Sequence, residues 1–229
     1  FDEFIMREFI YYSKHAVTTG NFDLENLMKA GRMDIACNVV IMSFFVSHAI
    51  RQNVKLHLIF DGPPSPPMHL EMFPSKSLGD IENKVDLSKK DVAGLIKKML
   101  YKYRKGDKNE VFPGYSIEKK SFANLVNDLS DEGKTIFILD KKGEKLREAD
   151  IPENSVFILG DQDGIPKQEL KRVKNLKLKK ISVGPYMLFA SQALTIVQNE
   201  LDLRETKEGN EESEEIENIQ EGEEVGEES

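Results

Sequence analysis

Three segments of the 229-residue chain join an apolar run to a turn that carries glycine or carboxylates. They are Phe137-Ile-Leu-Asp140, Phe157-Ile-Leu-Gly-Asp-Gln-Asp-Gly164 and Ile181-Ser-Val-Gly-Pro-Tyr-Met-Leu188. If the apolar runs are parallel strands, all three turns fall on the carboxyl edge of one sheet, where ligands collect because loops replace pairing. Glycine lets backbone approach a ligand closely, and free amides and carbonyls can read the edge of an adenine. One such turn after a strand is ordinary; three in a single span make this edge a candidate ligand site as readily as a set of ordinary turns. There is no G-x-G-x-x-G and no Walker motif, which argues against a standard dinucleotide or ATP site. A fourth feature is Arg32, two residues ahead of Asp34 at the start of an apolar helical pattern. Taken alone, the pair reads as an exposed arginine and an aspartate that caps the helix.

The elements that must position these residues alternate in type. Strand patterns run over 7–12, 54–60, 135–139, 155–159 and 180–183. Helical patterns run over 34–51, 88–104, 122–129, 166–174 and 187–201, with Ser88 as a good N-cap for the second. Residues 21–28 read as a polar loop with a short helical turn. Pro63, Pro64, Pro66 and Pro67 continue neither helix nor sheet. Strands separated by helices predict an α/β domain with a mainly parallel sheet.

The whole-chain charge of −8 is misleading. Residues 205–229 hold twelve Glu and one Lys, so the preceding 204 residues carry a net +3. A mildly basic body suits a phosphate-bearing partner, and the candidate grips are Lys97, Lys98, Lys102, Arg104 and Lys105, with a second group over 167–180. The acidic end is too charged and too poor in aromatics to fold alone. A lone cysteine, Cys37, excludes an internal disulfide, and the four histidines show no metal-ligand spacing. The expected setting is therefore the cytoplasm, with neither metal nor membrane. No apolar run approaches the length of a membrane span.

From Met6 to about Leu203 the chain resembles the archaeal tRNA (pseudouridine-54 N1)-methyltransferase family of the SPOUT superfamily. The resemblance rests on Met6–Phe9, Ala30–Asp34, Phe45–Arg51, Leu95–Leu100, Phe157–Asp161, Ile181–Pro185, Leu188–Ser191 and Asn199–Asp202, in that order and spacing. It implies a SPOUT α/β methyltransferase fold: a parallel-sheet core with a deep trefoil knot in about 135–203. Residues 6–203 would form one domain, 1–5 an upstream extension or cloning remnant, and 204–229 a disordered acidic tail.

The resemblance further implies S-adenosylmethionine as cofactor, held by Leu139, Gly160, Val183, Gly184, Pro185, Tyr186, Met187, Leu188 and Ala193. It implies a tRNA substrate and a homodimer, and it turns Arg32 and Asp34 into candidate catalytic residues. Arg32 would stabilise charge on the uracil oxygens, and Asp34 would orient or accept the N1 proton. Two departures stand out: Ala193 replaces a cysteine usual in the family, and Lys89–Val92 replaces a Pro-Asp-Glu-Arg run. They leave two other readings in play, a methyltransferase acting on ribosomal RNA and an RNA-binding protein that has lost methyl transfer.

Overall fold

The structure is a computed structural model, and it describes residues 6–47, 49–74, 88–106 and 108–206. The expected upstream extension, and the acidic tail beyond residue 206, lie outside the described residues.

Eight strands form one mixed sheet in the order β10-β8-β9-β1-β4-β5-β7-β6. The parallel half comprises β1 (Arg7–Ser13), β4 (Val54–Phe60), β8 (Thr135–Lys145), β9 (Ser155–Gly160) and β10 (Lys179–Ser182). The antiparallel half adds β5 (Met68–Met72), β6 (Asn109–Phe112) and β7 (Tyr115–Glu118). Strand β1 sits in the middle and is buried along its whole length, as a strand covered on both faces must be.

Helices cover the two faces. On one, α1 (Met33–Phe44), α2 (Lys89–Lys102) and a helix over 190–206, here α5, pack on Phe9, Tyr11, Leu56, Leu58 and Leu70. On the other, α3 (Phe122–Asp131) and α4 (Lys167–Arg172) close a smaller core around Ile10, Tyr12, Ile59 and Ile158. Ser88 caps α2 as expected: its side chain accepts from the Asp91 amide while Asp91 accepts from the Ser88 amide.

Several elements differ from the sequence reading. The helix expected over 34–51 ends at Phe44, and β2 (Phe45–Val46) pairs with β3 (Ala49–Ile50) in a small hairpin. The Ser43 hydroxyl donates back to the Val39 carbonyl, and the Arg51 amide takes the Phe44 carbonyl, so the last turn is capped from outside the helix. Asp34 does not cap α1: the N-cap position is Arg32, with no side-chain cap bond, and Asp34 turns back onto Arg32. The last helix starts at residue 190, not 187, and continues to 206, so Glu205 belongs to a helix and not to a tail.

Strand β8 does not end at Asp140. Its pairing with β10 jumps from Ile138 to Glu144, and the intervening residues bow out around an Asx turn in which the Lys142 amide donates to Asp140. Gly143 is required where the strand rejoins, because a Cβ there would lie 2.4 Å from the Ile181 nitrogen.

Helix α5 is fastened to the amino end of β1. Arg7, almost fully buried, donates to Asp202 at 2.6 Å and to Gln198 at 2.9 Å, and it pairs with Glu205 at 2.7 Å. Arg51 grips the same Asp202 with both arms, at 2.7 and 2.6 Å. Three of the sequence segments that carry the resemblance therefore meet at one carboxylate, which is a structural latch.

Candidate active site

All five parallel strands end on the same edge, and the expected ligand cleft lies there. Its volume is about 300 Å³, within the range of small-molecule sites. Leu139 comes from the β8 excursion, Gly160 and Asp161 from the end of β9, and Val183, Gly184, Tyr186, Met187 and Leu188 from the turn after β10. Ala193 is supplied by the first turn of α5. Of the nine expected cofactor residues, eight line this cleft; Pro185 does not, although both its neighbours do.

Backbone geometry keeps the cleft open. The turn after β9 folds back so tightly that a Cβ on Gly160 would sit 2.6 Å from the Gly164 carbonyl carbon. Asp161 organises this turn, accepting from the Ser13 hydroxyl at 3.2 Å, the Lys14 amide at 2.9 Å and the Asp163 amide at 3.0 Å. Gly184 has φ 147°, a value that L side chains rarely adopt. At the rim, Tyr186 and Met187 are 79% and 81% exposed, apolar side chains with nothing above them. Apolar walls, glycine floors and free backbone groups fit an adenosine better than a polyphosphate, so the residues present suit S-adenosylmethionine.

The Arg32–Asp34 pair opens onto the same end of the molecule. Gly31 and Arg32 are both left-handed, at φ 67° and 63°, and Arg32 is the only non-glycine residue with positive φ among the described residues. That conformation costs an L-residue roughly 1–2 kcal/mol. It is held because a Cβ on Gly31 would strike the His15 carbonyl and because the Val17 amide bonds to the Ala30 carbonyl, which ties this loop to the end of β1. The guanidinium meets Asp34 through two bonds of 3.0 Å, Nε to Oδ1 and Nη2 to Oδ2. These bonds hold the Asp34 carboxyl below its ordinary range and raise Arg32 above its own. Both residues stay partly exposed.

Sequence reasoning missed Tyr11. It is fully buried, its hydroxyl has no well-formed hydrogen bond, and burial followed by the Asp161 charge pushes its ionisation well above the usual range. The Asp34 charge adds to this rise and the Arg32 guanidinium opposes it. Cys37 lies inside α1, where burial pushes its thiol up to about 12. Of the expected phosphate grips, Lys97 is committed inward, donating to the Phe22 carbonyl at 2.6 Å and lying over the Phe22 ring. Lys180 is paired with Asp140. Lys98, Lys102, Arg104 and Lys105 are exposed. Among the described residues no helix is long and apolar enough to cross a membrane.

A family described as "Putative SAM-dependent RNA methyltransferase" matches residues 6–206. The chain belongs to this family. Its relatives include proteins named tRNA (pseudouridine(54)-N(1))-methyltransferase. The one from Methanocaldococcus jannaschii is 35% identical over 204 residues, covering 86% of this chain and 97% of the relative. The one from Methanococcoides burtonii is 34% identical over 199 residues, covering 86% and 96%. Among solved structures, Archaeoglobus fulgidus Nep1 bound to S-adenosylhomocysteine superimposes with a TM-score of 0.54 at 11% identity, covering 85% of this chain and 96% of Nep1. That similarity concerns the fold alone; the expected parallel α/β core is present as one half of the mixed sheet, with three antiparallel strands added to it.

Proposed function

We propose that this methyltransferase transfers a methyl group from S-adenosylmethionine to N1 of pseudouridine 54 in tRNA. The observation that carries the reading is the strained Arg32, held by Asp34 at the sheet edge that also bears the glycine-floored cleft. Strain of this kind persists where surrounding structure over-determines it, most often at functional sites. The names of the relatives at 35% and 34% identity supply the base and its position.

When bound, the cofactor supplies a methyl group already activated on a sulfonium, so the protein's task is to orient and polarise. Arg32 keeps donors beyond the two that Asp34 occupies, and these stabilise the charge that builds on the uracil carbonyl oxygens as N1 gives up its proton. Asp34 is a poor general base because both its oxygens are engaged and its carboxyl is held low. It acts as a positioning residue that fixes the guanidinium plane, and the N1 proton departs to water. A base in a tRNA loop must be splayed out to reach such a site.

The reading also takes in a single methyltransferase domain, a trefoil knot around the β8 excursion and α5, and a homodimer working in the cytoplasm. The close approach of Gly143 to β10 and the return of α5 over β1 support an interlocked chain path. The exposed Tyr186, Met187 and Phe189 support a partner surface beside the cleft.

Methyl transfer from labelled S-adenosylmethionine to two tRNA transcripts, one with pseudouridine at position 54 and one with uridine, tests the proposal. Label on the pseudouridine transcript alone is the expected result. Label on neither, with cofactor binding intact, overturns the tRNA reading in favour of ribosomal RNA or of a non-catalytic binder.

A further inference from the structure

A second polar constellation lies on the other face of the sheet, toward the amino ends of β1 and β4. Four adjacent strands place Glu8, His57, His69, Glu71, Ser116 and Glu118 on that face. The two imidazoles meet edge to edge, His57 Nδ1 lying 2.9 Å from His69 Nε2 with ring planes 26° apart. Each outer nitrogen bonds a carboxylate: His57 Nε2 to Glu8 at 2.7 Å, and His69 Nδ1 to Glu118 at 3.0 Å. Both rings are almost completely buried.

A carboxylate only accepts, so both outer nitrogens carry their hydrogens. The two inner nitrogens then present lone pairs to each other at contact distance. Such a contact is stable only with a cation between them, either one proton or one metal ion. A carboxylate behind each imidazole is the arrangement that fixes the tautomer of metal-binding histidines and raises their basicity.

Two further groups bear on which cation it is. Glu71 Oε2 lies 3.8 Å from His57 Nδ1, and the three donor atoms of His57, His69 and Glu71 all fall within 4.8 Å of one another. Ser116 stands directly across from Glu71 in the β5–β7 pair, and its buried hydroxyl has no hydrogen-bond partner. A cleft of about 350 Å³, lined by Lys55, Glu71, Lys108 and Ser116 among others, opens the Glu71 side of this group to solvent, the side from which a water would come as fourth ligand. The competing charges are Lys108 at 2.9 Å from Glu71, Lys55 and Lys134 at 3.7 and 3.1 Å from Glu8, and Lys120 at 3.4 Å from Glu118.

We propose that His57 Nδ1, His69 Nε2 and Glu71 Oε2 bind one zinc ion, with Glu8 and Glu118 as the carboxylates behind the two histidines. Two nitrogens and one oxygen suit a late first-row divalent ion. Zinc–nitrogen bonds of about 2.0–2.1 Å at a tetrahedral angle need the two nitrogens about 3.4 Å apart, so the rings part by about half an ångström on binding. The ion replaces the bridging proton, which is released, and it displaces the Lys108 ammonium from Glu71 into solvent. No step of the methyl transfer passes through this site, and the proposal stands independently of the substrate assignment.

The test uses the full chain after dialysis against a chelator. Calorimetric titration with zinc in two buffers of different ionisation enthalpy reads stoichiometry and proton release together, and cobalt titration reads the visible bands of a four-coordinate ion. One zinc per chain, release of a proton and a raised melting temperature are expected. Glu71→Gln should weaken zinc at least tenfold without changing the melting of the metal-free protein, and Lys108→Met should strengthen it. No binding at micromolar zinc, equal affinity in Glu71→Gln, or a bridging imidazole proton that persists by NMR in excess zinc would each overturn the proposal.

Discussion

Arg32 and Asp34 are two residues apart and joined by two parallel hydrogen bonds of 3.0 Å, and the arginine that makes them has a left-handed backbone. A planar fork held in this way cannot be replaced by a point charge. Arg32→Lys should therefore lower the single-turnover rate by about 10²–10³-fold at saturating cofactor, the range seen when one donor to a developing oxyanion is lost. Binding of S-adenosylhomocysteine should be unchanged. Equal rates for the two proteins would remove Arg32 from the chemistry.

Asp34→Asn separates orientation from proton removal. An asparagine keeps one acceptor for the guanidinium, so about a tenfold loss is expected if Asp34 positions Arg32, against about 10²–10⁴-fold if it is the general base. The pH–rate profile tells the two apart. A positioning role leaves the acid limb of the wild-type profile in place in the variant.

Gly160→Ala tests the floor of the cleft. The added methyl would lie 2.6 Å from Gly164, and the neighbour is backbone, so the turn itself must move. Affinity for S-adenosylhomocysteine should fall at least tenfold, or about 1.4 kcal/mol, by calorimetry. The far-UV spectrum should be retained.

The Asp202 latch carries a pH dependence. Burial raises this carboxyl, but the hydrogen bonds from Arg51 and Arg7 outweigh it and hold the group below the ordinary range. A depressed group stabilises the fold fully above its unfolded value, near 3.9, and that contribution is lost as pH falls through the folded value. Amides of 190–206 should therefore exchange more slowly at pH 7 than at pH 3, after correction for intrinsic rates. Asp202→Asn should exchange fast at both, with a cost of about 1–2 kcal/mol because Arg7 keeps Gln198 and Glu205.

Cys37 offers a check on the buried face of α1. With its thiol pushed up to about 12, it should resist a thiol reagent in the native protein at pH 8 and react at once in denaturant. Rapid native labelling would mean that α1 does not pack as described.

The parallel half of the fold was legible because its strands are apolar runs ended by glycine or aspartate, and the cleft followed from three such runs ending together. The antiparallel half was not. Its strands Met68–Met72 and Tyr115–Glu118 carry His69, Glu71, Ser116 and Glu118 on one face, which breaks the apolar pattern. The local signal for it is Pro113-Gly114, which turns β6 into β7 with Gly114 at φ 79°. The histidine pair was hidden for a different reason. His57 and His69 are twelve residues apart and meet only through the β4–β5 register, which no ligand-spacing rule contains. Asp34 read as a cap because local chemistry favours one, and the structure spends that carboxylate on Arg32 instead.

The contact between Arg7 and Asp202 spans 195 positions of sequence, and β1 needs β9, nearly 150 residues downstream, as its neighbour. Chains dominated by such distant pairings fold slowly, because the entropy of closing the loops is lost before the contacts return it. On the ribosome, β1 meets β4 early but waits for β9 and α5, which are made much later. Until β9 pairs with it, β1 presents a bare strand edge, and until α5 docks, its face bearing Phe9 and Tyr11 is uncovered; chaperones hold such surfaces, which otherwise aggregate.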